Sequence, residues 1–247
     1  MAPEPDRLTS DARRRPVLAM ALLLFLALVF AALGIWQLKR LAWKEALIAR
    51  VEQRIHASPV AVPDDEAARG QALTDSEYLR VHAAGRYVAS GTALVRAVSD
   101  LGSGYWVMTP LRVADGRLIY INRGFVPVGS TLEKARQVTP SGAVAVTGLL
   151  RLAEPGGGFL RANDPGADRW YSRDVKALAE ARGLTHVAPL FIDAQSTAPA
   201  ERTGGPVPGL TVVRFPNNHL SYALTWFAMM ALSLGAALWL RRRGSAA

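Results

Sequence analysis

Two long uncharged apolar runs, residues 17–38 and 220–240, bracket a stretch in which apolar and polar residues alternate over short spans. Each run is about 20 residues, and a helix of that length spans a hydrocarbon core of about 30 Å. Between them lie roughly 180 residues, enough for one ordinary globular domain. The pattern predicts helix, domain, helix, with both termini on one side of a membrane and the domain on the other.

The first helix is expected to continue past the apolar run. Trp36, Arg40, Trp43 and Leu47 fall at i, i+4, i+7 and i+11, one helical face, and carry the helix to about residue 54. Interfacial anchoring accounts for Trp36 and Trp43, and snorkelling for Arg40 and Lys44. The acidic, Pro-bearing residues 59–70 and the Pro/Gly-rich residues 199–209 read as loops. Between them the expected strands are 81–88 and 92–98 around a hairpin-like break at Ala89-Ser90-Gly91, then 105–113 and 118–128 around Ala114-Asp115-Gly116-Arg117, then 144–152 and 190–194. A short helix at 174–182 has Asp174 as its N-cap and Gly183 past its end. The fold class is therefore a membrane protein: two transmembrane helices flanking an antiparallel β-rich external domain, barrel-like or α+β. Small residues in stripes, Ala27, Ala31, Gly34 and Ser221, Thr225, Ala228, predict that the two helices pack together.

Charge orients this plan. Arg13–Arg14–Arg15 precede the first run and Arg241–Arg242–Arg243 follow the second, and basic clusters beside a span mark the cytoplasmic side. Lys39, Arg40 and Lys44 oppose this, but the two terminal clusters agree and a long middle domain does not obey the rule. The first run exceeds a signal-peptide core of about 7–15 residues and ends without a cleavage pattern, so it reads as an uncleaved anchor. Glu4, Asp6 and Asp11 argue against a mitochondrial transit peptide. The expectation is a bacterial inner membrane protein: cytoplasmic residues 1–16 and 241–247, spans 17–38 and 220–240, and a periplasmic domain over 39–219. Much of the formal net charge of +9 belongs to the terminal arginines, which flank spans and carry no nucleic-acid-binding motif.

The chain has no cysteine, which excludes disulfides, copper-thiolate sites, CxxC redox chemistry and c-type haem attachment. Of the four histidines, His56, His82, His186 and His219, none sits in a paired metal-ligand motif. Gly156-Gly157-Gly158 lacks the Lys-Ser/Thr of a phosphate loop and reads as a turn. Asp164, Asp168 and Asp174 read as turn and cap residues rather than a metal cluster. No nucleophile–base pair is identifiable, so the chain is not expected to be an enzyme. His219 is placed differently: with Tyr222, Trp226 and Met230 it forms a stripe at i, i+3, i+7 and i+11 at the external mouth of the second span. An imidazole above flat aromatic surface suits a haem, whose propionates Arg40 or Lys44 would meet, since antiparallel helices bring Trp36, Gln37, Arg40 and Lys44 to the same membrane face. Interfacial preference of His, Tyr and Trp explains the same stripe without a ligand.

Leu33-Gly34-Ile35-Trp36-Gln37-Leu38-Lys39-Arg40-Leu41-Ala42-Trp43-Lys44 closely resembles the LGxWQxxRxxWK signature of the SURF1 (Shy1) family. Gly85-Arg86-Tyr87, Gly104-Tyr105-Trp106-Val107-Met108-Thr109-Pro110-Leu111 and Asn122-Arg123-Gly124-Phe125-Val126-Pro127 resemble further family segments in the same order. So do Asn163-Asp164-Pro165 with Trp170 and Asp174, and Asn218-His219-Leu220-Ser221-Tyr222-Ala223-Leu224-Thr225-Trp226-Phe227. Ile121 and Phe125 replace the usual Val and Trp, and the residues after Gly148 lack the Arg-Pro of many members, which leaves that loop's role open.

The resemblance implies an assembly factor for haem-copper terminal oxidases that binds haem a and assists its delivery to cytochrome c oxidase subunit I. It maps the family's haem-linked histidine onto His219, the expected axial ligand to iron, with Tyr222, Trp226, Trp36 and Arg40 as further cofactor-binding residues. The implied partners are subunit I, haem a synthase and the lipid bilayer, with no nucleic acid. The alternative is a non-haem membrane scaffold that stabilises the nascent subunit, in which the hairpin at 122–127 and Trp170 form partner-binding surface. Otherwise Gly124 is expected to supply a bulge and Arg123 a cross-strand pair.

Overall fold

A computed structural model describes residues 6–64, 70–158, 160–198, 204–210 and 215–244. Residues 65–69 and 199–203 of the two expected loops, and the extreme termini, lie outside them. The chain forms two compact units, Met1–Arg50 with Arg214–Ala247, and Val51–Val213.

The first unit is two helices. Helix α1 runs Asp6–His56, 51 residues and so about 75 Å, far beyond one bilayer core. It stops just before Ser58-Pro59, where the residue preceding a proline is steered out of helical geometry. The last helix, His219–Gly244, carries Arg241, Arg242 and Arg243 in its final turn. Both contain stretches long and apolar enough to cross a membrane, Val17–His56 and His219–Arg243.

The second unit is a seven-stranded mixed sheet. Along the chain come β1 (Val60–Ala61), α2 (Gly70–Asp75), β2 (Arg80–Tyr87), β3 (Ala93–Ser99), β4 (Gly102–Val113), β5 (Leu118–Pro127), α3 (Leu132–Gln137) and β6 (Ala143–Leu152). There follow a two-stranded hairpin, β7 (Gly157–Gly158) and β8 (Arg161–Ala162), then α4 (Val175–Ala181) and β9 (Val187–Ala198); the C-terminal helix is α5. The strand order is β1-β2-β6-β9-β5-β4-β3, and β2 also pairs with β4 at Gly85↔Val113 to Tyr87↔Leu111. The pairings β2–β6–β9–β5–β4–β2 thus return upon themselves.

Two expectations are corrected. The sheet is not antiparallel throughout: β5 pairs with β9 in parallel, as β1 does with β2. A parallel pair needs a long crossover, and the chain between β5 and β9 supplies one through α3, β6 and α4. Nor do β2 and β3 form a hairpin. Both pair with β4 along the same edge, β3 at Gly102–Met108 and β2 at Leu111–Val113. Pro110 sits where β4 changes partner. Its carbonyl accepts from Val88 N on that side, and the missing N–H falls in the gap, where no ladder bond is needed.

Strand β5 is buried from Leu118 to Val126 because its two faces enter different clusters. Ile119 and Ile121 pack with Val81, Leu111, Val146, Leu150 and Ile192. Tyr120 turns the other way, to Met108, Trp170, Leu178 and Phe191 under α4. Helix α4 is capped as expected. Asp174 accepts from Ala177 N at 3.1 Å, and Gly183 at φ +62° lets Gly183 N and Leu184 N close onto Glu180 O and Ala179 O. The close strand approaches require glycine: a Cβ at Gly85 would lie 2.1 Å from Arg112 O and one at Gly148 2.2 Å from Asp193 O.

Candidate functional site

The site residues named from sequence fall in the two-helix unit. Gly34 of α1 is closed over by Phe227 of α5, whose Cε1 lies 2.6 Å from where a Cβ would stand. Phe30 stacks on Trp226 with centroids 5.8 Å apart and planes inclined by 23°. Ala27, Gly34 and Gln37 are buried on α1, and Ala223, Ser233 and Ala237 on α5. Packing through small residues is as expected, but on α5 the stripe differs: Ser221, Thr225 and Ala228 are exposed. The hydroxyls of Ser221 and Thr225 instead turn back to Asn218 O, just before the helix, and to Ser221 O within it, at 2.8 and 3.0 Å.

His219 is the first residue of α5 and is half-buried. Its Nδ1 lies 2.7 Å from Gln37 Oε1, a hydrogen bond across the helix pair. Lys44 Nζ donates to the carbonyl of Pro216, which fixes the chain as it turns into α5. The expected meeting of Gln37 and Lys44 with the mouth of the second helix therefore occurs. The outward residues behave differently. Trp36 and Tyr222 are each 56% exposed, and the Arg40 guanidinium lies 4.0 Å from the centre of the Trp43 ring on its own helix. Among the described residues, no hydrogen bond or ring contact joins Trp36, Arg40, Tyr222 or Trp226 to His219.

This arrangement has chemical content. An amide oxygen can only accept, so His219 Nδ1 is the donor and Nε2 is left for another partner. A haem fits the donor set: one orientable imidazole, aromatic surface at Trp36, Tyr222 and Trp226, and the cations Arg40 and Lys44 at the same end of α1. Gln37 is the residue that sequence reasoning placed nearby without giving it a role. Its signal was a lone amide inside an apolar run, where an unpaired polar group is costly.

The chain's other polar concentration is structural. Asp193 on β9 is 2% exposed and accepts from Asn122 Nδ2 at 2.7 Å, Arg173 Nη1 at 3.1 Å and Arg151 Nη1 at 3.1 Å. Glu154 binds Arg173 from the other side, Nε to Oε2 at 3.1 Å. Burial pushes the Glu154 carboxyl up, but the hydrogen bonds and charge of Arg173 outweigh it and hold the group below the usual carboxylate range. Arg151, near the end of strand β6 after Gly148, reaches Asp193 directly, and Glu154 just beyond the strand reaches it through Arg173.

A family model described as the SURF1 family matches residues 24–231. The chain belongs to the SURF1 family. Surfeit locus protein 1 from Rattus norvegicus is 36% identical over 239 residues, covering 89% of this chain and 74% of that protein. The Mus musculus protein is 37% identical, with 90% and 74% covered, and a SURF1-like protein of Monosiga brevicollis 35%, with 90% and 87% covered.

Most SURF1 motifs prove architectural here. Asn163 Oδ1 accepts from Tyr171 N at 2.8 Å and Ser172 N at 3.2 Å. Asp164 caps the turn at Pro165–Ala167 through Ala167 N. Asp168 takes Trp170 Nε1 at 2.6 Å and both its oxygens receive Arg182 Nη2. Together they seat Trp170, which is 1% exposed. Trp170 and residues 122–126 are therefore core, not the partner-binding surface that the scaffold alternative assigned to them. Gly124, at φ +132°, lies in the bulge where Trp106↔Phe125 shifts to Met108↔Asn122. Arg123, fully buried, donates to Thr139 Oγ1 at 2.5 Å and to Ala135 O and Val138 O at 3.3 Å. It ties β5 to the C-terminal end of α3, a tertiary link where a cross-strand pair was expected.

Proposed function

We propose that this SURF1-family protein is an assembly factor for cytochrome c oxidase that binds haem a through His219 and assists its delivery to subunit I. The observation that carries the reading is the 2.7 Å hydrogen bond that His219 Nδ1 donates to Gln37 Oε1, which leaves Nε2 available to iron. Haem, when bound, would supply the iron that His219 would hold. His219 offers the ligand; Trp36, Tyr222 and Trp226 offer apolar ring surface, and Arg40 and Lys44 offer cations to the propionates. A single side-chain ligand at an accessible helix mouth suits a carrier that must release its cargo. Subunit I and haem a synthase are the partners this role calls for.

The reading includes a membrane. Both apolar helices cross a bacterial inner membrane, with the termini cytoplasmic and the β-rich unit periplasmic. The three arginines in the last turn of α5 support that orientation.

The test is an optical spectrum of the detergent-purified protein co-expressed with haem a synthesis, beside its His219→Ala variant. A haem a spectrum in the wild type, lost in the folded variant, is expected. Haem retained by the variant refutes His219 as ligand. No haem in a folded wild type turns the reading to a haem-free scaffold.

A further inference from the structure

We propose that Gln37 is a positioning residue that sets the tautomer of His219 and aims its Nε2 at the cofactor. The inference rests on the haem reading for its purpose, but on the helix pair alone for its geometry. Gln37 is 9% exposed and lies in an apolar stretch of α1, where an amide without a partner is costly. Its Oε1 is 2.7 Å from His219 Nδ1. Because a carbonyl oxygen cannot donate, Nδ1 must carry the hydrogen of this bond, and in the neutral ring the lone pair is then on Nε2. A free imidazole exchanges between tautomers and turns about its side-chain bonds; this one is held in the form that presents Nε2.

The neighbours make the bond rigid. Gly34, one turn before Gln37, lets Phe227 approach so closely that a Cβ would stand 2.6 Å from its ring. Lys44, two turns after, holds the Pro216 carbonyl and with it the entry of α5. The amide is thus fixed between a packing contact on one side and a backbone anchor on the other. Neutral Gln also leaves the imidazole less electron-rich than a carboxylate partner would, which suits a ligand that must let go. Gln37→Glu keeps the accepting oxygen and adds charge, whereas Gln37→Leu removes the acceptor at similar size.

Two readouts separate this inference from the haem reading. The first uses haem-free protein labelled with nitrogen-15 in histidine, His219 being assigned by its loss in His219→Ala. Protonated Nδ1 is expected in the wild type and in Gln37→Glu, with Nε2–H gaining in Gln37→Leu. Nε2–H as the main wild-type form overturns the proposal, whatever haem does. The second is titration with haem a. Gln37→Leu is expected to weaken binding about 10–100-fold, as loss of an orienting partner does. Gln37→Glu is expected to bind and to lower the iron midpoint potential. Wild-type affinity and potential in both variants overturn the proposal even if haem binds at His219. If the wild type binds no haem, the haem reading fails, and the nitrogen spectra still decide the role of Gln37. Should Gln37→Leu misfold, Gln37→Glu and the wild-type spectrum suffice.

Discussion

Replacing Asp193 by Ala should be among the most damaging single changes in the β-rich unit. The Asp193 side chain is 2% exposed and its two arginine partners only 12–14% exposed. Removing it leaves two guanidinium groups short of a counter-charge and the Asn122 amide short of an acceptor. Breaking a buried pair by deleting one partner costs about 3–5 kcal/mol. Arg173 keeps Glu154, and Arg151 keeps Glu77 at 3.4 Å, which argues for the lower half of that range. For a domain of this size each kcal/mol lowers Tm by about 2–4 °C, so a fall of about 6–16 °C is expected. The control is Lys176→Ala, which breaks an exposed pair with Glu180, 87% and 68% accessible, worth about 0.3–0.5 kcal/mol. The assay is thermal unfolding of the full chain in detergent, followed by near-ultraviolet circular dichroism, which reports packed aromatics such as Trp170. A fall no larger than the control's would refute the claim that this network anchors the sheet. Arg173→Met in the Asp193→Ala background should cost less than the two single changes summed, since the stranded charge goes with it.

Glu154 is held below its ordinary value of 4.5, so its contribution is fully present above that pH and is lost as the pH falls through the depressed folded value. The difference in Tm between wild type and Glu154→Gln should therefore close as the pH drops below 4.5; a gap that stays constant there contradicts the assignment. Gly85→Ala places a methyl carbon 2.1 Å from Arg112 O, so the β2–β4 pairing must open. Hydrogen exchange at Val88, whose N–H donates to Pro110 O across that edge at 2.8 Å, should rise well above that at the β6–β9 pair, and equal protection at both would refute the constraint.

Much of the architecture was legible in the residues because local signals and tertiary packing agreed. The two apolar runs needed no partner to be recognised, and α1 ran on to His56 along the face that began at Trp36. The Asp-Gly turn before β5, the Asp174 cap and the Gly183 terminus depend only on nearby backbone geometry and were placed correctly. The bulge at Gly124 was also readable, since a positive φ favours glycine. The pairing of strands was not. The break at Ala89–Gly91 looks like a hairpin turn, yet β2 and β3 lie end to end against β4, because alternation identifies a strand without naming its neighbour.

The candidate site divides the same way. The sequence by itself placed His219 at the mouth of an apolar helix, set Gln37 and Lys44 at the matching level of α1, and through its ordered motifs established the SURF1 family. Helix length, period and end chemistry are local properties, and they are enough for that. Only the tertiary structure decided that Gln37, rather than Trp36 or Arg40, meets the imidazole, that Trp170 and Arg123 are core, and that Asp193 collects two arginines. Those choices depend on the rotation of one helix against another and on strand order. Both are set by which side chains fill the same space, and residues distant in sequence settle that together.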